Sequence, residues 1–182
     1  TKKIQQKYHS FKISVSHTTR SPRSNEVDGV DYYFVSNKKF EELIKQKKFY
    51  EYAKIFDNYY GTLKKTVDDL AKTNDIIFDI DWQGTRQIRN KNLEYKLVTI
   101  YILPPSKKEL LNRLIKREKK NLKTVKKRMK EFKKDLSRWK EYDYVVINDN
   151  INDCYKKIIK LINAEINNDS SLSSKFYKSQ CL

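Results

Sequence analysis

Glycine and proline are almost missing, with three of each in 182 residues. Gly29, Gly61 and Gly84 stand too far apart to form the G-x-x-x-x-G-K-[ST] loop that cradles nucleotide phosphates. Cysteine is just as scarce: Cys154 and Cys181 share no metal-binding or redox spacing, which leaves a reduced, cytoplasmic setting as the default. No apolar run approaches the length of a membrane span, and TKKIQQKYHSF carries no apolar core of a signal peptide. No internal repeat is visible. Acidic residues are outnumbered, 23 against 40 Lys and Arg, for a formal net charge of +17. Such an excess suits a nucleic-acid or phosphate partner, yet the lysines spread along the whole chain, as a solvated coat would. Abundant Lys, Asn, Ile and Tyr beside few Gly and Pro is also what A/T-rich codons produce.

What is present is a real core. Hydrophobic residues make up 38% and aromatics 13%, too many for a disordered chain. Four apolar runs read as buried strands: FKISVS (11–16), IIFDID (76–81), LVTIYIL (97–103) and YVVIN (144–148). Helical patterns lie between them. Thr62 is a candidate N-cap before Leu63, Val67, Leu70 and Ala71. Ser106 and Glu109 form an S-x-x-E capping box. Val125, Met129, Phe132, Leu136 and Trp139 repeat at alternating spacings of four and three, predicting one long helix, and Cys154, Ile158, Leu161, Ile162 and Ile166 predict another. Strands alternating with helices predict an α/β domain with a mostly parallel sheet. Residues 32–61 break the rhythm. A turn at Asp28-Gly29, a strand in YYFVS, a helix in FEELIKQKKF, a strand in FYEYAKI and a tight turn at Gly61 predict a small inserted piece of mixed structure. The last dozen residues, 171–182, are Ser-rich and are expected to fray.

Unusual polar groups gather at the exits of two strands, where open α/β sheets bind ligands. The stretch SVSHTTRSPR delivers Ser16, Arg20 and Arg23. IIFDID delivers Asp79 and Asp81, which alternation would turn to one face. An apolar strand does not hold two carboxylates without partners, because burying an unpaired charge is costly. Either arginines neutralise them, as in an ordinary ion pair between loops, or a metal or ligand does. Glu51, flanked by aromatics in FYEYA, is a similar misfit.

SVSHTTRSPRSNEVDGVDYYFVS, FYEYAKIFDNYYGT, DIDWQG, LPPSKKELLNRL and VINDN, in that order, resemble the motifs of guanylate kinases over roughly residues 11–165. The resemblance implies a P-loop kinase-like α/β fold: a parallel sheet core flanked by helices, a small mixed α+β insertion that binds GMP, and a helical lid. It divides the chain into a core (1–31, 62–112 and 129–170), the GMP-binding subdomain (32–61), the lid (113–128) and the tail. It implies that Arg20, Arg23, Tyr32 and Tyr60 hold the phosphate of GMP or dGMP, where a guanidinium fork matches a phosphate dianion better than an ammonium does. Ser16, Glu51, Gly61, Thr62 and Asp81 fall where the family binds the rest of GMP. Guanine offers N1–H and its amino group as adjacent donors, so a carboxylate accepts both, whereas adenine presents a lone pair at N1. A mismatch of that kind is worth on the order of 10⁴-fold discrimination. Asp79 falls near the phosphates and Mg2+, which arrives with ATP and which Asp79 is expected to touch only through water. Arg113, Arg117 and Arg128 fall in or beside the lid, with Arg20 the positive charge that phosphoryl transfer needs.

Two departures from the family stand out. The phosphate loop for ATP has no counterpart here, so the chain as given is expected to be a piece of a longer protein, or a shortened one, and poorly active by itself. In IKREKKNLKT, Lys116 and Glu118 flank Arg117 where family lids usually carry glycines, which bears on hinge freedom and not on the reaction. The expected function is transfer of the γ-phosphate of ATP to GMP, by a monomer or homodimer with no membrane and no specific nucleic-acid partner. A non-catalytic module of this kind, binding GMP or a phosphopeptide, is the alternative, and an RNA binder resting on charge alone is a third.

Overall fold

Local sequence chemistry sets the limits of each element in the computed structural model, which describes residues 1–91, 94–118 and 121–168. These fall into two compact units, Thr1–Lys96 and Leu97–Leu182. The first runs α1 (Lys2–Lys7), β1 (Phe11–Ile13), β2 (His17–Thr18), β3 (Tyr33–Phe34), α2 (Asn37–Lys45), β4 (Phe49–Ile55), β5 (Asn58–Leu63), α3 (Lys64–Ala71), β6 (Asp75–Ile77) and α4 (Trp82–Arg89). β1 and β6 pair in parallel, with Phe11 opposite Asp75 and Ile13 opposite Ile77. β3, β2, β5 and β4 form a second sheet in that order, antiparallel except where β2 meets β3.

The strand expected over 11–16 is therefore two. Ser14 ends the first by turning inward: its N–H and its hydroxyl both donate to the Ile77 carbonyl, at 3.1 and 3.3 Å. The chain then crosses to the second sheet, which thus draws a strand from outside residues 32–61. The strand expected over 76–81 stops at Ile77, so alternation does not orient Asp79 or Asp81. Asp81 instead caps α4. Its Oδ1 accepts from the Gln83 and Gly84 backbone N–H groups, both at 3.0 Å, and its Oδ2 accepts from the Gln83 side chain at 2.9 Å.

Two further expectations are corrected in this unit. Gly61 lies within β5, opposite His17 and Tyr52, and the hairpin turn falls between β4 and β5, where Phe56 adopts a φ of 57°. A Cβ on Gly61 would lie 2.9 Å from the Glu51 carbonyl, the Phe49 ring and the Tyr52 Cβ, so crowding and not turning selects glycine there. Leu63, not Thr62, is the N-cap residue of α3, and it offers no side-chain bond. Thr62 is spent elsewhere, as described below. α2 begins at Ser36, whose hydroxyl accepts from the Lys39 N–H at 3.2 Å, and lays a fully buried Phe40 between Phe49 and Tyr59, ring centres 4.4 and 5.2 Å away.

The second unit runs β7 (Ile100–Leu103), α5 (Lys107–Arg117), α6 (Leu122–Asp135), a 3-10 turn (Leu136–Glu141), β8 (Tyr144–Ile147) and α7 (Ile151–Ile166). β7 and β8 are parallel neighbours, shorter than the runs 97–103 and 144–148 by the residues that leave the ladder. Thr99 and Asp143 tie their entrances together. The Asp143 carboxylate accepts from the Thr99 N–H and hydroxyl at 2.8 and 2.7 Å. Val145, Val146 and Leu161 are buried at its core. Ser106 caps α5 as expected, accepting from the Glu109 N–H at 3.1 Å. The single helix expected across Val125–Trp139 divides at Leu136, where α6 tightens into the 3-10 turn. Each unit carries a parallel strand pair with helices, so the chain has the α/β architecture expected. Among the described residues no helix is long and apolar enough to cross a membrane. The expectation for 171–182, Cys181 included, lies outside the described residues.

Candidate active site

Three strands of the first unit align a row of polar side chains that an ordinary sheet would fill with apolar ones. Thr62 on β5 stands directly opposite Glu51 on β4. On its other side, one residue before β2 begins, the Ser16 hydroxyl lies 3.0 Å from the Thr62 hydroxyl. All three are buried, Thr62 completely and Glu51 to 3% exposure. A bulge between Phe49 and Glu51 sets this register, as bulges near functional sites often do. Burial pushes the Glu51 carboxyl up to about 7; the Thr62 hydroxyl and N–H oppose that rise and the nearby Asp81 charge adds to it. Glu51 Oε1 is buried with no hydrogen-bond partner among the described residues. A buried carboxylate oxygen without a donor is a site waiting for one.

A second cluster stands two residues away along β5. Tyr60 is opposite Thr18 on β2, and its ring meets that of Tyr32 edge-on at 6.0 Å. The two threonines of TTRSPR staple the loop leaving β2 to β5. The Thr18 hydroxyl donates to the Tyr59 carbonyl at 2.9 Å, and the Tyr59 N–H donates to the Thr19 hydroxyl at 2.9 Å. Arg20 is thereby held on the sheet. Its guanidinium lies 5.5 Å from the Tyr32 ring centre and 5.8 Å from that of Phe34, donates to the Ser21 carbonyl at 2.6 Å, and donates to Glu26 Oε1 at 2.8 Å. Arg23 donates to the same oxygen at 3.1 Å, and its backbone N–H donates to Oε2 at 2.8 Å. Burial works against the Arg20 charge, but Glu26 and the Tyr60 hydroxyl outweigh it and hold the pKa above its ordinary value. Burial likewise opposes the Glu26 charge, and the Arg23 N–H and both guanidinium groups more than offset it, lowering its pKa. Tyr32 is pushed up by burial and then by the Asp79 charge.

The two aspartates of DID therefore act at different ends: Asp79 is felt at Tyr32 in the basic cluster, Asp81 at Glu51 in the acidic row. Ser16, Glu51, Thr62 and Asp81 come together, as do Arg20, Arg23, Tyr32, Tyr60 and Asp79. β5 joins the groups, since Tyr60 and Thr62 project from one face about 7 Å apart. Such a strand offers guanidinium groups to an anion at one point and a carboxylate to neighbouring N–H donors at the next.

Three more arginines belong to the second unit. Arg113 on α5 donates to Glu109 at 2.7 Å and to the carbonyls of Asn148 and Asp149 at 2.7 and 2.9 Å, which ties it to the exit of β8. Arg117 and Arg128 bring their Nε atoms to one oxygen of Glu118, at 3.2 and 3.1 Å. That is the arrangement of Arg20 and Arg23 about Glu26, met a second time.

Among the described residues no group of three or more His, Cys, Asp or Glu side chains forms a metal cage. A lone Asp79 beside basic residues fits a cation that arrives already held by phosphates, as Mg2+ commonly does. Glu26 and Gln87 were not legible as site residues. Glu26 sits three residues after Arg23 in a charged loop, a spacing that signals an ion pair and nothing more. Gln87 acts on backbone, its side chain accepting from the Tyr52 N–H at 3.1 Å and donating to the Tyr52 carbonyl at 2.7 Å, which no motif announces.

Comparison with known proteins is consistent in every direction. A family model described as guanylate kinase matches residues 1–165. A guanylate kinase of Buchnera aphidicola subsp. Baizongia pistaciae is 48% identical over 155 residues, 85% of this chain and 74% of the relative. One from Rickettsia prowazekii is 49% identical over 158 residues, 86% and 79% of the two chains. The crystal structure of guanylate kinase from Anaplasma phagocytophilum superposes with a TM-score of 0.71 at 32% identity, covering 86% of this chain and 77% of that one.

Proposed function

The chain belongs to the guanylate kinase family, ATP:GMP phosphotransferases that yield ADP and GDP, and from that premise we propose how its residues share the work. GMP, or dGMP, lies along β5. Its phosphate takes the place that the Glu26 carboxylate shares between Arg20 and Arg23, with the hydroxyls of Tyr32 and Tyr60 donating beside them. Its guanine meets Ser16, Thr62, Glu51 and Asp81, with Glu51 accepting from the N1–H and the amino group. Gly61, with no side chain, lets β4 and the Phe49 ring close in on the strand between the two ends. The observation that carries this reading is the double use of one strand, Tyr60 at the arginine and Thr62 at the carboxylate.

Residues 1–31, 62–112 and 129–170 serve as the core, 32–61 with their partner strand as the GMP-binding subdomain, and 113–128 as a lid. Arg113, Arg117 and Arg128 supply positive charge to the migrating phosphoryl group, whose transition state needs electrostatic stabilisation more than covalent help. Mg2+, arriving with ATP, would neutralise charge on the phosphates, and Asp79 is the residue that would hold it, through water. The setting is the cytoplasm, and the protein works as a monomer or homodimer without a specific nucleic-acid partner. The identity to guanylate kinases across most of the chain favours the phosphotransferase over a non-catalytic binding module.

Calorimetric titration tests the reading directly. The protein is expected to bind GMP at least about 100-fold more tightly than AMP, and Glu51→Gln to erase most of that gap without lowering the melting temperature. Equal affinity for the two nucleotides in the wild-type protein would remove the guanine reader from the site.

A further inference from the structure

We propose that Gly84 sets nucleotide specificity through Glu51, as a positioning residue that never touches the substrate. This rests on the reading of Glu51 as the acceptor for guanine. Gly84 lies in the first turn of α4, and its φ is not in the left-handed region, so the backbone there has no need of glycine. Glycine is also a poor helix former. What its position requires is the absence of a side chain. A Cβ at Gly84 would stand 2.5 Å from Glu51 Oε2, 3.1 Å from the Glu51 carboxyl carbon and 3.3 Å from the Ile80 Cβ.

Something must yield to such a methyl group, and the surroundings decide what. α4 cannot easily retreat. One turn further on, Gln87 clamps it to β4 through both backbone groups of Tyr52. Its own N-cap, Asp81, holds the Gln83 and Gly84 N–H groups, so the first turn also keeps its shape around Gly84. The Glu51 carboxylate is the movable party, the tip of a three-torsion side chain that Thr62 holds and whose Oε1 has no hydrogen-bond partner among the described residues. An added methyl therefore pushes the carboxylate out of the Ser16–Thr62–Glu51 row and leaves the helix in place. Guanine arriving at that row would find its acceptor displaced.

The test is a set of titrations with GMP, IMP and AMP, together with thermal melting. Hypoxanthine keeps the N1–H of guanine and lacks its 2-amino group, so the GMP-to-IMP ratio reports where the carboxylate stands. Gly84→Ala is expected to melt within a few degrees of wild type, to lose about tenfold or more in GMP affinity, and to narrow the GMP-to-IMP ratio. In a Glu51→Asp background, where the carboxylate is drawn back, the same methyl is expected to cost much less, a non-additivity that a general packing defect does not produce. Should Gly84→Ala fail to fold, recovery of folding in Glu51→Asp/Gly84→Ala supports the proposal, and a double variant equally unfolded overturns it. A wild-type preference for GMP over IMP that Gly84→Ala leaves unchanged overturns this proposal alone. No wild-type preference for GMP over AMP overturns the guanine reading, and this inference with it.

Discussion

Glu51 is asked to carry a charge where burial resists it, and that conflict has a measurable signature. The folded protein keeps the Glu51 proton up to about pH 7, whereas an unfolded chain releases it near its ordinary 4.5. Between those values the native state binds more protons. This residue's contribution therefore favours folding most at low pH, declines as pH rises from 4.5 to 7, and is level above. The loss is about 3 kcal/mol, at roughly 1.4 kcal/mol per pH unit. On the proposed reading guanine needs the ionised form, so guanosine affinity is expected to fall about tenfold per unit as pH drops below 7, and not to do so in Glu51→Gln. Guanosine is the right probe because a phosphate monoester titrates near pH 6 by itself. Glu51 was legible in the sequence as a carboxylate misplaced among aromatics. Glu26 was not, because an acid in a charged loop is ordinary until its two arginines are seen to share one oxygen.

At the scale of elements, the β4–β5 hairpin does most of the positioning. Two glycines, Gly61 within it and Gly84 on α4 against it, respond oppositely to the same substitution. Gly61→Ala puts a methyl against rigid neighbours, a backbone carbonyl among them, and is expected to destabilise the protein by about 1–3 kcal/mol, read as a lower midpoint in urea. Gly84→Ala presses on a flexible tip and is expected to alter binding instead. Apolar runs made the strands legible, but not their ends. FKISVS looked like one strand because Ser14 and Ser16 alternate correctly with Ile13 and Val15. Only the bond from Ser14 to Ile77 and the pairing of His17 with Gly61 show that the chain changes sheets in between. The stripe from Val125 to Trp139 ran past Leu136 because a 3-10 turn keeps nearly the same side-chain phase for one turn.

For the whole molecule, the formal charge of +17 is the property most easily overread. The charges that bear on the proposed chemistry are a few guanidinium groups, each already matched by a carboxylate, while the lysine excess lies elsewhere along the chain. Rising salt is therefore expected to weaken GMP binding moderately, through its dianion, and to leave guanosine binding unchanged. Both arms can be followed in one titration series. A steep salt dependence for guanosine as well would return attention to the general field of the protein. Architecture class and family were legible because five motifs recur in order. The row across three strands was not, since register depends on a bulge that composition does not reveal.

The spacing of Tyr60 and Thr62 also works as a ruler. A pleated strand fixes the separation between alternate residues, so the distance from anion grip to base reader cannot stretch to suit the ligand. A regioisomer with the same base, sugar and charge, such as 3′-GMP, should engage one end of the strand or the other, never both. Competition between the 2′-, 3′- and 5′-monophosphates of guanosine, followed by displacement of a fluorescent guanine nucleotide, is expected to favour the 5′ isomer decisively. On the proposed binding mode the sheet would select where a phosphate is attached as well as what base carries it.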